Sequence, residues 1–231
     1  MRALLPILLV GLTSACYRPS DYPQDAGSVI ILNPLPGSAP ADGATRTAIT
    51  AVIPQAIHNP NSGAAVTFTT TLGTLVPTTA VPVDGNGTAT VFLQSPSLTG
   101  TASVVATLTV GGATYPVSTL LPFTVALPQE IQVVPKQENL PGKLAANLVV
   151  SIQTIRSVGI ATPGQWLTAT AADHQGNPLG AFTAAHVLSD ANGLASTVYT
   201  AGDTAYRGPL VITVSADGTA IVGTATIQIS D

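Results

Sequence analysis

The sequence predicts an all-β protein built as two tandem sandwiches, and three observations carry the prediction. Apolar residues recur at every second position over several stretches, the period of a sheet with one packed face and one wet face. Some 21 glycines and 19 prolines punctuate these stretches, while the helix formers Glu, Lys and Arg are scarce in a chain only 8% charged. A motif also repeats: Asp84-Gly85-Asn86-Gly87 and Asp190-Ala191-Asn192-Gly193 lie 106 positions apart, each ahead of a strand pattern. A repeat near 100 residues is too long for a solenoid and fits one immunoglobulin-like sandwich per copy.

Residues 1–15 read as a signal peptide. Arg2 is followed by an apolar segment from Ala3 to Leu12, then by small residues up to Cys16, the single cysteine of 231 residues. About ten apolar residues are too few to span a bilayer, which needs roughly 18 or more. Two readings of the cleavage region compete. Thr13-Ser14-Ala15 suits ordinary small-residue cleavage. The stretch also resembles the bacterial lipobox, in which the cysteine after the small residues is lipidated, although Thr13 stands where that motif prefers Leu. On this second reading Cys16 is the lipid attachment site. The resemblance implies several acyl chains, hence lasting attachment where one chain would hold only marginally. Tyr17 in place of an aspartate implies the outer membrane. With Cys16 so engaged no disulfide forms, and each core must hold by packing alone.

Cys16 and the polar, Pro- and Gly-containing residues up to 28 form a tether, whose dozen or so residues reach at most about 40 Å. The first sandwich is expected over residues 29–127 and the second over 128–231, the boundary falling near residues 126–130, where prolines flank a strand end. Within the first, Ala102, Val104, Ala106, Leu108 and Val110 share one face of a strand, opposite threonines that suit the wet face. Within the second, Leu210, Ile212, Val214 and Ala216 do the same, as do Ala225, Ile227 and Ile229. Residues 140–155 read equally as strand or short helix. Trp166 opens a strand pattern and is expected in the core.

The stretches "ADGATRTAITAVI", "GAAVTFTTTLGTL" and "VDGNGTATVFLQSPSLTGTASVVAT", in that order over residues 41–107, resemble the bacterial Ig-like domain (Big-1 type) of the invasin and intimin group. In the second half "LTATAADHQGNPLG" and "LSDANGLASTVYT" follow the same pattern, with the strand between them reduced to "AFTAAHV". The resemblance implies a sandwich fold and a role in adhesion or as a structural stalk. In that group such domains often space a separate binding tip, and the sequence up to Asp231 is not expected to contain one.

Other chemistry finds little support. A net charge of −4 with no block of like charge excludes a nucleic-acid surface. No nucleophile elbow, phosphate loop or dinucleotide fingerprint occurs, and the acidic residues are scattered, so the chain reads as a non-enzyme with no cofactor and no small-molecule substrate. The two Asp-x-Asn-Gly segments lack the oxygen count of a calcium loop and read as turns. His58, His174 and His186 form no metal-ligand pair. A carbohydrate-binding module would need exposed aromatics in a group, which the sequence does not display. The loop "DTAYRGP" offers Tyr206 and Arg207 as a possible contact site.

The expectation is a lipid-anchored outer-membrane protein, on the periplasmic face or cell surface. It would present Ig-like domains to another protein or a surface polymer, for adhesion or as a stalk. The alternative is an accessory subunit that docks onto an outer-membrane complex or surface filament through a sheet edge.

Overall fold

The computed structural model describes residues 29–54, 64–78, 80–110, 112–142, 146–202 and 204–231. The strands of the first half are β1 (Ile31–Leu35), β2 (Ala39–Pro40), β3 (Arg46–Val52), β4 (Ala65–Thr70), β5 (Thr74–Val76), β6 (Val81–Pro82), β7 (Thr88–Gln94), β8 (Gly100–Val110) and β9 (Ala113–Thr124). Those of the second are β10 (Glu130–Pro135), β11 (Asn139–Pro141), β12 (Asn147–Ile155), β13 (Trp166–Asp173), β14 (Ala181–Phe182), β15 (His186–Leu188), β16 (Leu194–Thr200), β17 (Gly208–Ala216) and β18 (Val222–Ser230).

They pair into four sheets. The first half makes β1-β3-β7-β5 and β2-β9-β8-β4-β6; the second makes β10-β12-β16-β14 and β11-β18-β17-β13-β15. Each pairing of the first half recurs in the second with the strand number raised by nine, so the sequence repeat is a repeat of topology. A four-stranded sheet facing a larger one that begins with a short parallel strand is the arrangement of immunoglobulin-like sandwiches.

Alternation explains where each core lies. Along β8 the residues Ala102, Val104, Ala106 and Leu108 have no exposure, while Ser103, Val105 and Thr107 between them are partly exposed on the other face. These four pack with Ile49, Val91 and Leu93 from the facing sheet into one cluster confined to the first half. Leu210, Ile212 and Val214 of β17 likewise face Leu148, Val150 and Ile152 of β12 in a second, separate cluster.

Residues 140–155, open between strand and helix in the sequence, contain the end of β11 and all of β12. Strand wins because Leu148, Val150 and Ile152 are buried with period two between exposed residues. Trp166 corrects an expectation: it is not a core residue but 49% exposed. Leu167 and Ala169 take the inward positions of β13, and period two therefore turns Trp166 outward.

Candidate functional site

Among the described residues, the densest set of buried polar contacts lies where the two sandwiches meet. In the first sandwich, Asp42 follows β2 and closes the turn into β3. Its Oδ1 accepts the Ala44 N–H at 3.0 Å, the Thr45 N–H at 2.7 Å and the Ser95 hydroxyl at 2.7 Å. Its Oδ2 accepts the Thr45 hydroxyl at 2.6 Å. The residue is 1% exposed. Burial pushes its carboxyl pKa up, but these hydrogen bonds outweigh burial and hold it below the ordinary carboxylate value.

The second sandwich sends the loop between β12 and β13 onto this turn. Arg156 Nη2 stands 3.8 Å from Asp42 Oδ2, the guanidinium side chain 14% exposed and the carboxylate side chain 0%. The same guanidinium donates to the carbonyls of Leu127 and Val158. The Ile160 N–H donates to the Asp42 carbonyl at 3.0 Å. Gly159 lets the loop approach so closely: its φ is +66°, and a Cβ there would lie 2.2 Å from the Asp42 carbonyl oxygen.

Thr162 joins three segments. Its hydroxyl donates to the Ala41 carbonyl at 3.0 Å and accepts the Ala126 N–H at 2.7 Å, while its own N–H donates to the Ala126 carbonyl at 2.9 Å. Ala41, Ala126 and Ala161 around it are all buried. The chain leaving β9 is therefore bonded along its course instead of hanging as a flexible linker. Chemically the site does no more than hold charge and backbone in register, which is a mechanical role.

The two repeated aspartates serve turns. Asp84 Oδ1 accepts the N–H groups of Asn86 and Thr88 at 2.9 and 2.8 Å, and Asp190 Oδ1 accepts those of Asn192 and Leu194 at 2.7 and 2.9 Å. Gly87 and Gly193 take φ of 77° and 75°, the left-handed step that each turn requires. Asp173 builds a third such turn with Gln175 and Asn177. Among the described residues no group of three or more His, Cys, Asp or Glu could hold a metal ion.

Cys16 and His58 lie outside the described residues. Tyr206 is half-buried against the second core, its hydroxyl donating to the Pro209 carbonyl at 2.7 Å and lying 3.1 Å from His174 Nδ1. Arg207 is exposed; its Nη1 donates to the carbonyls of Thr204 and Tyr206, and its Nε meets Asp231 Oδ1 at 2.6 Å. These bonds tie the loop to itself and to the last residue. His186 lies on β15 at the other end of the sheet.

Sequence reasoning missed Asp42, Arg156 and Thr162. Asp42 sits inside a stretch that reads as a turn, and Arg156 was visible as a lone charge closing an apolar strand. Nothing local marks Thr162.

Residues 26–121 match the family model for invasin domain 3. The match covers most of the first sandwich, which is similar to that domain. Among solved structures, the adhesin InvE of Yersinia pseudotuberculosis matches with 22% identity over 90% of this chain and 60% of its own, at a TM-score of 0.49. Invasin, described as a bacterial integrin-binding protein, matches with 21% identity over 89% of this chain and 40% of its own, at a TM-score of 0.46. The D0-D1 domain of intimin matches with 18% identity over 87% of this chain and 97% of its own, at a TM-score of 0.36. This chain thus spans about three fifths of InvE's length. No curated protein sequence matches it. The second sandwich repeats the strand order of the first.

Proposed function

We propose that this chain is a non-catalytic, lipid-anchored protein of the cell envelope, whose tandem Ig-like sandwiches serve adhesion or act as a stalk. The junction is the observation that carries this reading. A buried carboxylate, an arginine and a threonine bonded on both sides join the sandwiches directly, so they move as one piece that holds a surface at a set distance from its anchor. The invasin-type family match of the first sandwich supports the role. The signal-like residues 1–15 and Cys16 support the anchor.

A second reading has one observation in its favour. Among the described residues, positions 113–122 of β9 pair only with β8, and on this edge Leu120 is 65% exposed. That edge suits docking onto an outer-membrane complex or filament. Pro116 and Pro122 interrupt its row of donors, which favours the stalk.

The test is metabolic labelling with an alkyne fatty acid, together with protease treatment of intact cells. Label lost on Cys16→Ala, with cleavage of the unbroken cells' protein and weaker surface attachment on deletion, fits the reading. An unlabelled wild-type chain overturns the anchor; protection from protease until the outer membrane is broken overturns surface presentation.

A further inference from the structure

The outward face of β13 ends in a platform that the fold itself does not require. Trp166, the single tryptophan of the chain, is 49% exposed there and pairs across the strands with Leu188, 48% exposed. On its other side stands Asp217, whose N–H donates to the Trp166 carbonyl at 3.0 Å. The next row holds His186 and Thr168, paired with each other. The Thr168 hydroxyl lies 2.6 Å from Asp217 Oδ1 and 3.1 Å from His186 Nδ1. The side chains of His186 and Asp217 are 64% and 41% exposed, so both still face solvent.

The first sandwich serves as an internal control. Ala65 precedes the buried Val66 of β4 as Trp166 precedes the buried Leu167 of β13, and Ala65 pairs with Pro82 and Thr109. The same topology therefore closes around an alanine flanked by a proline and a threonine. The second copy has instead placed an indole in water, with a carboxylate and an aliphatic side chain beside it. Packing does not explain that substitution, because the indole's outward position contributes little to the core.

We propose that this platform binds a sugar ring of a surface glycan. A dedicated carbohydrate-binding module groups several exposed aromatics, whereas the single indole here supplies one flat apolar face, enough for the C–H face of one pyranose to stack. Asp217, held by Thr168, supplies acceptor oxygens for adjacent hydroxyls; His186 Nε2 and the Thr168 hydroxyl supply further partners. A ligand of neutral hydroxyls fits this set, whereas a phosphate or sulfate would meet the Asp217 carboxylate. Among the described residues, the large exposed apolar side chains of this platform are Trp166 and Leu188, with Val222 set apart beyond Ser215, a pair of side chains where a stable protein partner covers roughly 800 Å². A sugar unit matches the size. The inference rests on the second sandwich alone and needs neither the lipid anchor nor the junction.

Because Trp166 is the only tryptophan, its fluorescence reports directly on the platform. The full-length chain in detergent is titrated with soluble hexasaccharides of glucose, N-acetylglucosamine, mannose and galactose, up to about 10 mM, where a millimolar site saturates. A saturable change with at least one of them is expected. Isothermal titration of that sugar should lose binding in Trp166→Ala, retain part in Trp166→Phe and weaken by about tenfold in Asp217→Asn. Alanine is the residue the first sandwich already carries there, so circular dichroism of Trp166→Ala should match the wild type. No saturable change with any of the four sugars, or equal binding by Trp166→Ala, overturns the proposal. A platform quenched only on adding a protein partner overturns it as well.

Discussion

The carboxylate of Asp42 and the guanidinium of Arg156 face each other across 3.8 Å, and they belong to different sandwiches. Neither core needs the other residue. Asp42 is satisfied within its own turn by Thr45, Ala44 and Ser95, and Arg156 donates to two carbonyls of its own surroundings. Buried ion pairs contribute little net stability but fix geometry, since a wrong docking would leave a charge buried and uncompensated. In a chain of disulfide-free sandwiches, such a pair sets how one domain is seated on the next.

Replacing Asp42 removes the acceptor for four donors inside the first sandwich and the counter-charge for Arg156. Asp42→Ala is expected to cost about 3 kcal/mol, the range for breaking a buried pair, and Asp42→Asn about half of that because the amide oxygen keeps part of the set. Urea unfolding of the full chain at neutral pH measures both. A loss under about 0.5 kcal/mol, the size of an ordinary surface change, would contradict the buried role.

The same carboxylate makes the junction acid-sensitive. Its pKa in the fold lies below the ordinary 3.8, because hydrogen bonds from Thr45, Ala44 and Ser95 overcome the upward push of burial. A depressed pKa stabilises the fold fully above the unfolded value, and that stability is lost as pH falls through 3.8 and then through the lower folded value. The stability gap between wild type and Asp42→Asn should therefore be widest near neutral pH and shrink below about pH 4. A gap that stays constant down to pH 2.5 or so would show that Asp42 titrates normally.

Gly159 isolates the junction from the cores. Its φ of +66° and the 2.2 Å approach of a would-be Cβ to the Asp42 carbonyl mean that Gly159→Ala cannot keep the loop seated. The Ile160 bond to Asp42 and the Thr162 bonds to Ala41 and Ala126 should loosen together, costing about 1–3 kcal/mol of coupling while both hydrophobic clusters persist. Small-angle scattering should broaden and trypsin should gain access to Arg156. A scattering profile identical to wild type would show that the loop tolerates the methyl group.

How far the sequence revealed this arrangement depends on the distance over which each feature acts. Val104, Ala106 and Leu108 were legible because burial and period coincide within one strand. The turns at Asp84 and Asp190 were legible for the same reason, since the N–H groups that close each turn lie within four residues of the aspartate. Thr162 was not, because its partner Ala41 lies 121 residues away and threonine is common throughout the chain. Trp166 was misread by residue type, although the same alternation that placed Leu167 and Ala169 inward already turned it toward water. The strand at residues 147–155 was obscured because Leu148, Val149 and Val150 form a continuous apolar run, which does not distinguish strand from helix.

Tyr199 gives the second sandwich a test of its own. It is fully buried on β16, its ring tilted against Phe182 at 5.2 Å, and its hydroxyl donates to the Leu179 carbonyl at 2.9 Å. Burial raises its pKa from 10.0 to about 12. A raised pKa means that the folded state holds the proton which the unfolded state releases. This contribution is whole below pH 10 and is lost as pH rises toward 12. Ultraviolet titration of the native chain should accordingly show a late-ionising tyrosine that disappears in Tyr199→Phe. The variant keeps the ring and its contact with Phe182 but leaves the Leu179 carbonyl without its donor, so unfolding should become easier by about 1–2 kcal/mol. Ionisation of every tyrosine near pH 10 in the folded chain would mean that the hydroxyl reaches water, and that Leu179 is not its partner.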